Sequence, residues 1–244
     1  MTEKEWKAST DSQAMLNRAR LSGLASQRKQ LLFMAACLRR LWPALLYRGS
    51  REAVEELERV ADQLATDEEW AAAARAAEAA AEVARKDADN MASPESVSAW
   101  AIYAAAAAAW AVHGAFRDAD PALGIVWAAN LAEHGGGGYC LPDVQAALLR
   151  DLFGPLPFRL LPPVAPAWLG WNAGTVGRLA EGVYDDRRLP EGTLDPTSLT
   201  VLADGLEDAG CTDADLLGHL RGPGPHVRGC WAVDLLSGRN GGAP

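Results

Sequence analysis

Signals that begin α-helices recur along the whole chain and are its strongest constraint on the fold. Two kinds are present: a capping box, in which a threonine precedes a glutamate by three positions, and an aspartate or serine followed directly by proline. They occur at Thr2/Glu5, Thr66/Glu69, Ser93-Pro94, Asp120-Pro121 and Asp195-Pro196. Ser50 and the pair Thr212/Asp215 are also predicted to cap helices. Alternating runs of polar and β-branched residues, which indicate strands, are scarce. The sequence therefore predicts an all-α protein, an irregular multi-helix bundle of about nine or ten helices.

Alanine dominates two of these predicted helices. The first follows Thr66, and because alanine has a high helix propensity but little side-chain volume, neighbouring helices must approach it closely. The second, Val97–Phe116, has no charged residue. Its length would allow a membrane span, but alanine contributes little to transfer into lipid and basic flanks are missing. It is therefore predicted to be a buried central helix.

Four consecutive glycines, Gly135–Gly138, mark the predicted division of the chain. Residues 1–134 form an alanine-rich N-terminal helical body, and residues 135–244 form a C-terminal helical subdomain, either separate from the first part or packed with it as one domain. Within the second part, the proline-rich segment Gly154–Ala167 is predicted to be extended. It precedes a short three-helix C-terminal cap, Leu199–Leu236.

Charge and cysteine usage limit the classes of function. The net charge of −9 and the pI near 5 disfavour a nucleic-acid binder and binding to an anionic membrane, so a protein is the expected partner. The four cysteines are widely spaced, and the first residues lack the pattern of a secretory signal. These features predict a cytoplasmic protein with reduced thiols, and they leave the oligomeric state open.

A metal site is one candidate function of the cap. Cys211, His219, His226 and Cys230 lie within twenty residues and are ligand types for zinc. Cys211 precedes a predicted helix on which His219 lies two turns later, so the two side chains start ~10 Å apart. Zinc ligands lie within about 4 Å of one another. The metal hypothesis is therefore restricted to His219, His226 and Cys230, and the alternative is buried thiols with histidines bonded to backbone carbonyls.

An anion site is the second candidate. Arg221, His226 and Arg228 surround a Gly-Pro-Gly-Pro turn ahead of a predicted helix, where free amides and arginines suit a phosphate or carboxylate. Proline removes two of those amides. The alternative is a tight turn, with Arg221 capping helix carbonyls and Arg228 paired with an acid such as Asp204, Glu207 or Asp208.

Several segments of the chain form a recognisable pattern: EKEW…STD near the start, RKQLLFMAACLRRLW, SREAVEELERVADQLATDEE, QAALLRDLFGPLPFR and the C-terminal motif LADGLEDAGC…HVRGCWAVDLL. With these segments, much of the chain resembles a bacterial multi-paralogue family of uncharacterised hypothetical proteins. Relatives commonly carry cysteine where this chain has Leu38 and Leu220. The resemblance implies no activity, and the paralogue abundance suggests an accessory role in mobile elements or defence.

No convergent set of acid, base and nucleophile is apparent, and no cofactor fingerprint is present. Cys230 lies four residues after His226 on one predicted helix face, and it would need a lowered thiol pKa and partial exposure to act as a nucleophile. The leading hypothesis is therefore a non-catalytic helical interaction or adaptor protein without a cofactor. The alternative is a metal- or anion-binding protein, with zinc as the metal.

Overall fold

Helices make up nearly all the regular structure of the described chain. The computed structural model describes residues 1–23, 25–89, 142–155, 158, 161 and 163–239. Within them lie eleven α-helices: α1 (Glu3–Ala8), α2 (Ser12–Leu21), α3 (Gln27–Arg40), α4 (Arg48–Ala61), α5 (Asp67–Asp89), α6 (Pro142–Phe153), α7 (Pro166–Gly170), α8 (Thr175–Asp185), α9 (Pro196–Asp208), α10 (Ala214–Leu220) and α11 (Trp231–Leu236). One antiparallel hairpin joins β1 (Arg187–Arg188) to β2 (Thr193–Leu194). The prediction of an all-α fold is confirmed.

Local capping signals set most of the helix starts. The capping boxes at Thr2/Glu5 and Thr66/Glu69 form as predicted, and the Asp195 carboxylate accepts from the Ser198 amide at the start of α9. The predicted starts at Ser93 and Asp120 lie outside the described residues, as does the helix Val97–Phe116. No helix in the described ranges has the length and hydropathy that crossing a membrane requires.

Two predicted caps are wrong. Ser50 does not cap α4, because that helix begins two residues earlier, at Arg48. Ser50 is a fully buried residue in its first turn. The start of α4 is fixed by packing: Gly49 lies so close to the alanine-rich α5 that a Cβ there would be 2.3 Å from the Ala76 carbonyl oxygen. Asp213, one residue after the predicted Thr212, caps α10 through the Leu216 amide, because its carboxylate reaches that donor at 2.8 Å.

The first hydrophobic cluster is formed mainly by side chains of α2, α3, α4, α5 and α6, with Trp6 of α1. The close approach that the alanine-rich sequence predicts is present between α4 and α5. Helix α6 lies beyond the predicted boundary at residue 135, yet its apolar face packs on α2 and α3, with Leu148, Leu149, Leu152 and Phe153 fully buried. Gly135–Gly138 themselves lie outside the described residues.

The second hydrophobic cluster is formed by α8 to α11 with β2. It contains the three helices predicted as a C-terminal cap, which are α9, α10 and α11. The turn between α10 and α11 is attached to the hairpin, since the Leu194 amide donates to the His226 carbonyl at 2.9 Å. It also packs on the first cluster: Gly229 has a φ of 88°, and a Cβ there would meet Leu32 and Leu152 at 2.7 and 2.9 Å.

Buried ion pairs connect the two clusters. Arg28 binds both oxygens of the Asp234 carboxylate, at 2.6 and 3.1 Å, and joins α3 to α11. Glu58 on α4 accepts two hydrogen bonds of 2.7 Å from Arg39 and pairs with Arg187 of the hairpin at 2.5 Å. Burial alone would raise the pKa of Glu58. The two guanidinium groups lower this pKa by more than burial raises it, so the net shift is downward. The Glu58 carboxylate is therefore held ionised in the interior.

Candidate metal centre

Four ligand-type side chains converge where α6 meets the C-terminal cap. They are Asp151 on α6, His219 on α10, His226 in the turn before α11 and Cys230 directly ahead of α11. Each offers one ligand atom, and all four atoms lie within 4.8 Å of one another. The sequence predicted three members of this set, and the structure brings those three together and adds Asp151.

The distances between these atoms are compatible with binding to one metal ion. His219 Nε2 lies 3.2 Å from Cys230 Sγ and 3.2 Å from Asp151 Oδ1. His226 Nδ1 lies 2.8 Å from the same Asp151 oxygen and 4.0 Å from Cys230 Sγ. A tetrahedral zinc ion with bonds of 2.0–2.3 Å separates its ligand atoms by roughly 3.3–3.7 Å. Small side-chain shifts therefore suffice to bring these atoms to coordination distance.

The backbone of the turn explains how two ligands four residues apart converge. His226 and Cys230 were predicted to share one helix face, and this is wrong, because α11 begins only at Trp231. Gly229, with a positive φ, ends the turn and prevents the helix from extending backward. The His226 side chain therefore reaches the centre from the turn, and Cys230 is the N-cap residue of α11.

Further hydrogen bonds fix the orientation of the ligands. The backbone amide of Val227 donates to Asp151 Oδ2 at 2.9 Å, which leaves Oδ1 facing the centre. His226 Nε2 lies 3.2 Å from the Gly222 carbonyl oxygen and donates its proton to it, while Nδ1 donates to Asp151 Oδ1, so a metal ion at the centre would displace the Nδ1 proton. Such outer contacts set the tautomer of a metal-binding histidine. Two of the four ligands thus have the support that metal sites require.

The protonation equilibria of the cluster are strongly perturbed. Burial raises the pKa of Asp151, but hydrogen bonds from His219 and His226 outweigh it and hold the pKa at about 2. For His226, burial lowers the pKa and the Asp151 carboxylate raises it more, so the net shift is upward. Burial, together with the negative charge of Asp151, raises the pKa of the Cys230 thiol well above its ordinary value. Without a cation at the centre, Cys230 is a neutral thiol.

This geometry distinguishes coordination from a nucleophilic thiol. In a catalytic triad, the nucleophile and the orienting carboxylate contact opposite nitrogens of one histidine. Here the Cys230 sulfur and the Asp151 oxygen contact the same nitrogen of His219, and the same is true at His226. Cys230 is also fully buried, and its thiol pKa is raised rather than lowered. The side chains point at a common point in space and do not form a relay.

Solvent reaches the cluster along the edge of His219. Asp151, His226 and Cys230 are at most 5% exposed, whereas the His219 side chain is 21% exposed. It lines a cavity of about 150 Å³, together with Trp6, Arg150, Gly154, Asp215 and Trp231 among others. His219 is the member of the cluster that faces this cavity.

The three residues predicted to bind an anion have partners within the chain itself. Arg221 pairs with Asp204 and Glu207 at 2.7 and 2.6 Å. The alternative to the anion site had predicted these two acids as partners of Arg228. Arg228 lies 3.6 Å from Asp62 and packs on the Tyr184 ring, while His226 faces Asp151. An anion site on these residues stays a prediction.

Two cysteines are separate from the centre, as their sequence context indicates. Cys211 is buried but does not belong to the cluster, in agreement with the helix spacing that removed it from the ligand set. Cys37 is buried in the first hydrophobic cluster. In the described part of the chain, Cys211 and Cys230 are free thiols. His113, His134 and Cys140 lie outside the described residues.

Comparisons with protein-family models, with curated proteins and with solved structures gave no match. The chemistry of the centre is therefore inferred from its own residues.

Proposed function

We propose that this chain is a zinc-binding protein in which one zinc ion is held by Asp151, His219, His226 and Cys230. The observation that supports the proposal is the convergence of four ligand atoms within 4.8 Å in a buried site. A carboxylate, two imidazoles and a thiol that is to coordinate as thiolate carry two negative charges in total. A divalent cation neutralises these two charges in the bound state.

Zinc fits this ligand set better than other common metals. Magnesium and calcium bind oxygen ligands almost exclusively, so a site with one sulfur and two nitrogens does not suit them. Tetrahedral sites of mixed nitrogen and sulfur ligands are typical of zinc. Metal binding displaces the proton of Cys230, so the affinity rises with pH until the thiol proton no longer competes.

The role that we propose for the zinc is structural. Four protein ligands complete a tetrahedral shell and leave no open position for a substrate, which catalytic zinc sites retain. Asp151 belongs to a helix of the first hydrophobic cluster, and the other three ligands belong to the cap. The ion therefore fixes α6 to the turn before α11. A structural zinc is compatible with the predicted non-catalytic interaction role, for which a protein partner stays a prediction.

Metal content and stability test this proposal. Untagged protein, purified without chelators, should contain about one zinc per chain. Removing an ion present at about 1,000 times its Kd should lower the free energy of unfolding by about 4 kcal/mol, which for 244 residues is a decrease in Tm of roughly 8–16 °C. Added zinc should restore the Tm. Protein without zinc whose Tm is unchanged by zinc addition contradicts the proposal.

A further inference from the structure

We infer that Lys29 is a positioning residue of the zinc site, although it contacts none of the four ligand side chains directly. The inference rests on the proposed zinc site and assigns a role to a buried charge on α3. Lys29 is 6% exposed, and burial of an ammonium group is costly unless each of its protons has an acceptor.

All three ammonium protons have acceptors, and two of these acceptors are next to zinc ligands in the sequence. Lys29 Nζ donates to the Leu152 carbonyl at 3.0 Å and to the Gly229 carbonyl at 2.5 Å. Its third acceptor is Asp234 Oδ2 on α11, at 2.7 Å. Leu152 directly follows the ligand Asp151, and Gly229 directly precedes the ligand Cys230. One ammonium group thus links the backbone on the two sides of the site.

The carbonyl groups of Leu152 and Gly229 are not used by hydrogen bonds within a helix, so they are available to Lys29. Leu152 lies in the last turn of α6, where the carbonyls have no intrahelical donor, and Gly229 lies in the turn before α11. Lys29 therefore sets the separation between the end of α6 and the start of α11. That separation determines how far Asp151 Oδ1 lies from Cys230 Sγ, and hence whether both reach one ion.

Replacing Lys29 with methionine tests the inference, because methionine keeps the apolar stem and removes the ammonium group. Outer contacts of metal ligands typically change affinity by about 10- to 100-fold, and we expect Lys29→Met to weaken Zn²⁺ binding by that factor. Cobalt(II) provides the structural readout. Its thiolate charge-transfer and visible absorption bands should shift in the variant, because the ligand geometry around the ion changes.

Arg39→Met is the matched control. Arg39 is also a buried cation on α3, with a carboxylate partner, Glu58, and a backbone acceptor, the Pro190 carbonyl. The Arg39→Met substitution should lower the Tm without changing the Zn²⁺ affinity or the cobalt spectrum. If Lys29→Met gives no folded protein, Lys29→Gln, which retains an amide donor, is measured with an expected smaller loss of affinity.

Two results would overturn the inference while leaving the zinc site intact: a Lys29 variant with wild-type affinity and spectrum, or an Arg39 variant that weakens zinc binding as much as the Lys29 variant does. If the wild-type chain binds neither Zn²⁺ nor cobalt(II), the zinc site itself is wrong and the inference is wrong with it.

Discussion

Replacing Cys230 with alanine is expected to weaken zinc binding severely. Cys230 supplies the only sulfur of the proposed site, and the three remaining ligands lack the thiolate charge that offsets the ion. We expect an affinity loss of more than about 100-fold, larger than the loss from an outer contact. Protein purified without added metal should then contain less than about a tenth of an equivalent of zinc. Metal analysis of the purified variant checks this.

Cys211→Ala is the matched control for that variant. Both thiols are buried, Cys211 at 2% and Cys230 at 0% exposure, so both substitutions remove a small apolar group from the second hydrophobic cluster. Only Cys230 faces the ligand centre. We expect the Cys211 variant to retain about one zinc per chain. Equal zinc contents in the two variants would contradict the assignment of Cys230 as a ligand.

Replacing Glu58 with glutamine should produce a large loss of stability at a site distant from the zinc. Glutamine leaves the buried guanidinium of Arg39 without its carboxylate, and removing one partner of a buried pair typically costs about 3–5 kcal/mol. This cost should depend on pH. Urea unfolding of both proteins at several pH values measures it.

The sign of the pH dependence follows from the lowered pKa of Glu58. A carboxylate whose pKa is lower in the folded state stabilises the protein fully above its unfolded pKa, near 4.5. That contribution is lost as the pH falls through the folded pKa. Since glutamine does not titrate, the difference in stability between the two proteins should be constant above about pH 5 and should shrink below pH 4.5. A difference that grows in acid contradicts the assignment.

Glu52→Gln on the same helix is the control. Glu52 pairs with Arg48 at the surface, where the Arg48 side chain is 90% exposed. Surface pairs of this kind contribute about 0.3–0.5 kcal/mol, so the control should be close to wild type at every pH. A loss comparable with that of Glu58→Gln would indicate that charge removal from α4, rather than the buried pair, causes the effect.

The parts of the fold that follow from local chemistry could be predicted from the sequence. Capping boxes and proline after a cap residue act within one turn, so Thr2, Thr66 and Asp195 indicated their helices correctly. Ser50 misled because the start of α4 is determined by contact with α5, which no local signal encodes. The short hairpin was not predicted, because each of its strands has two residues and leaves no alternating pattern.

The candidate site could be predicted only in part. Helix spacing removed Cys211, and proximity in sequence grouped the other three residues. Asp151 was missed because it precedes His219 by 68 positions and is one of 32 acidic residues. One signal was present: Asp151 lies three residues after Leu148 on the buried face of α6. A carboxylate on an apolar face requires a partner, but only the tertiary structure shows which one.

The central claim, that one zinc ion binds Asp151, His219, His226 and Cys230, is tested most directly by X-ray absorption at the zinc edge of the purified protein. We predict about four ligands in the first shell: one sulfur at ~2.3 Å and three nitrogen or oxygen atoms at ~2.0–2.1 Å. The sulfur contribution should disappear in zinc-reconstituted Cys230→Ala protein. A first shell without sulfur, a shell of several sulfurs, or a sulfur contribution that persists in that variant would contradict the account.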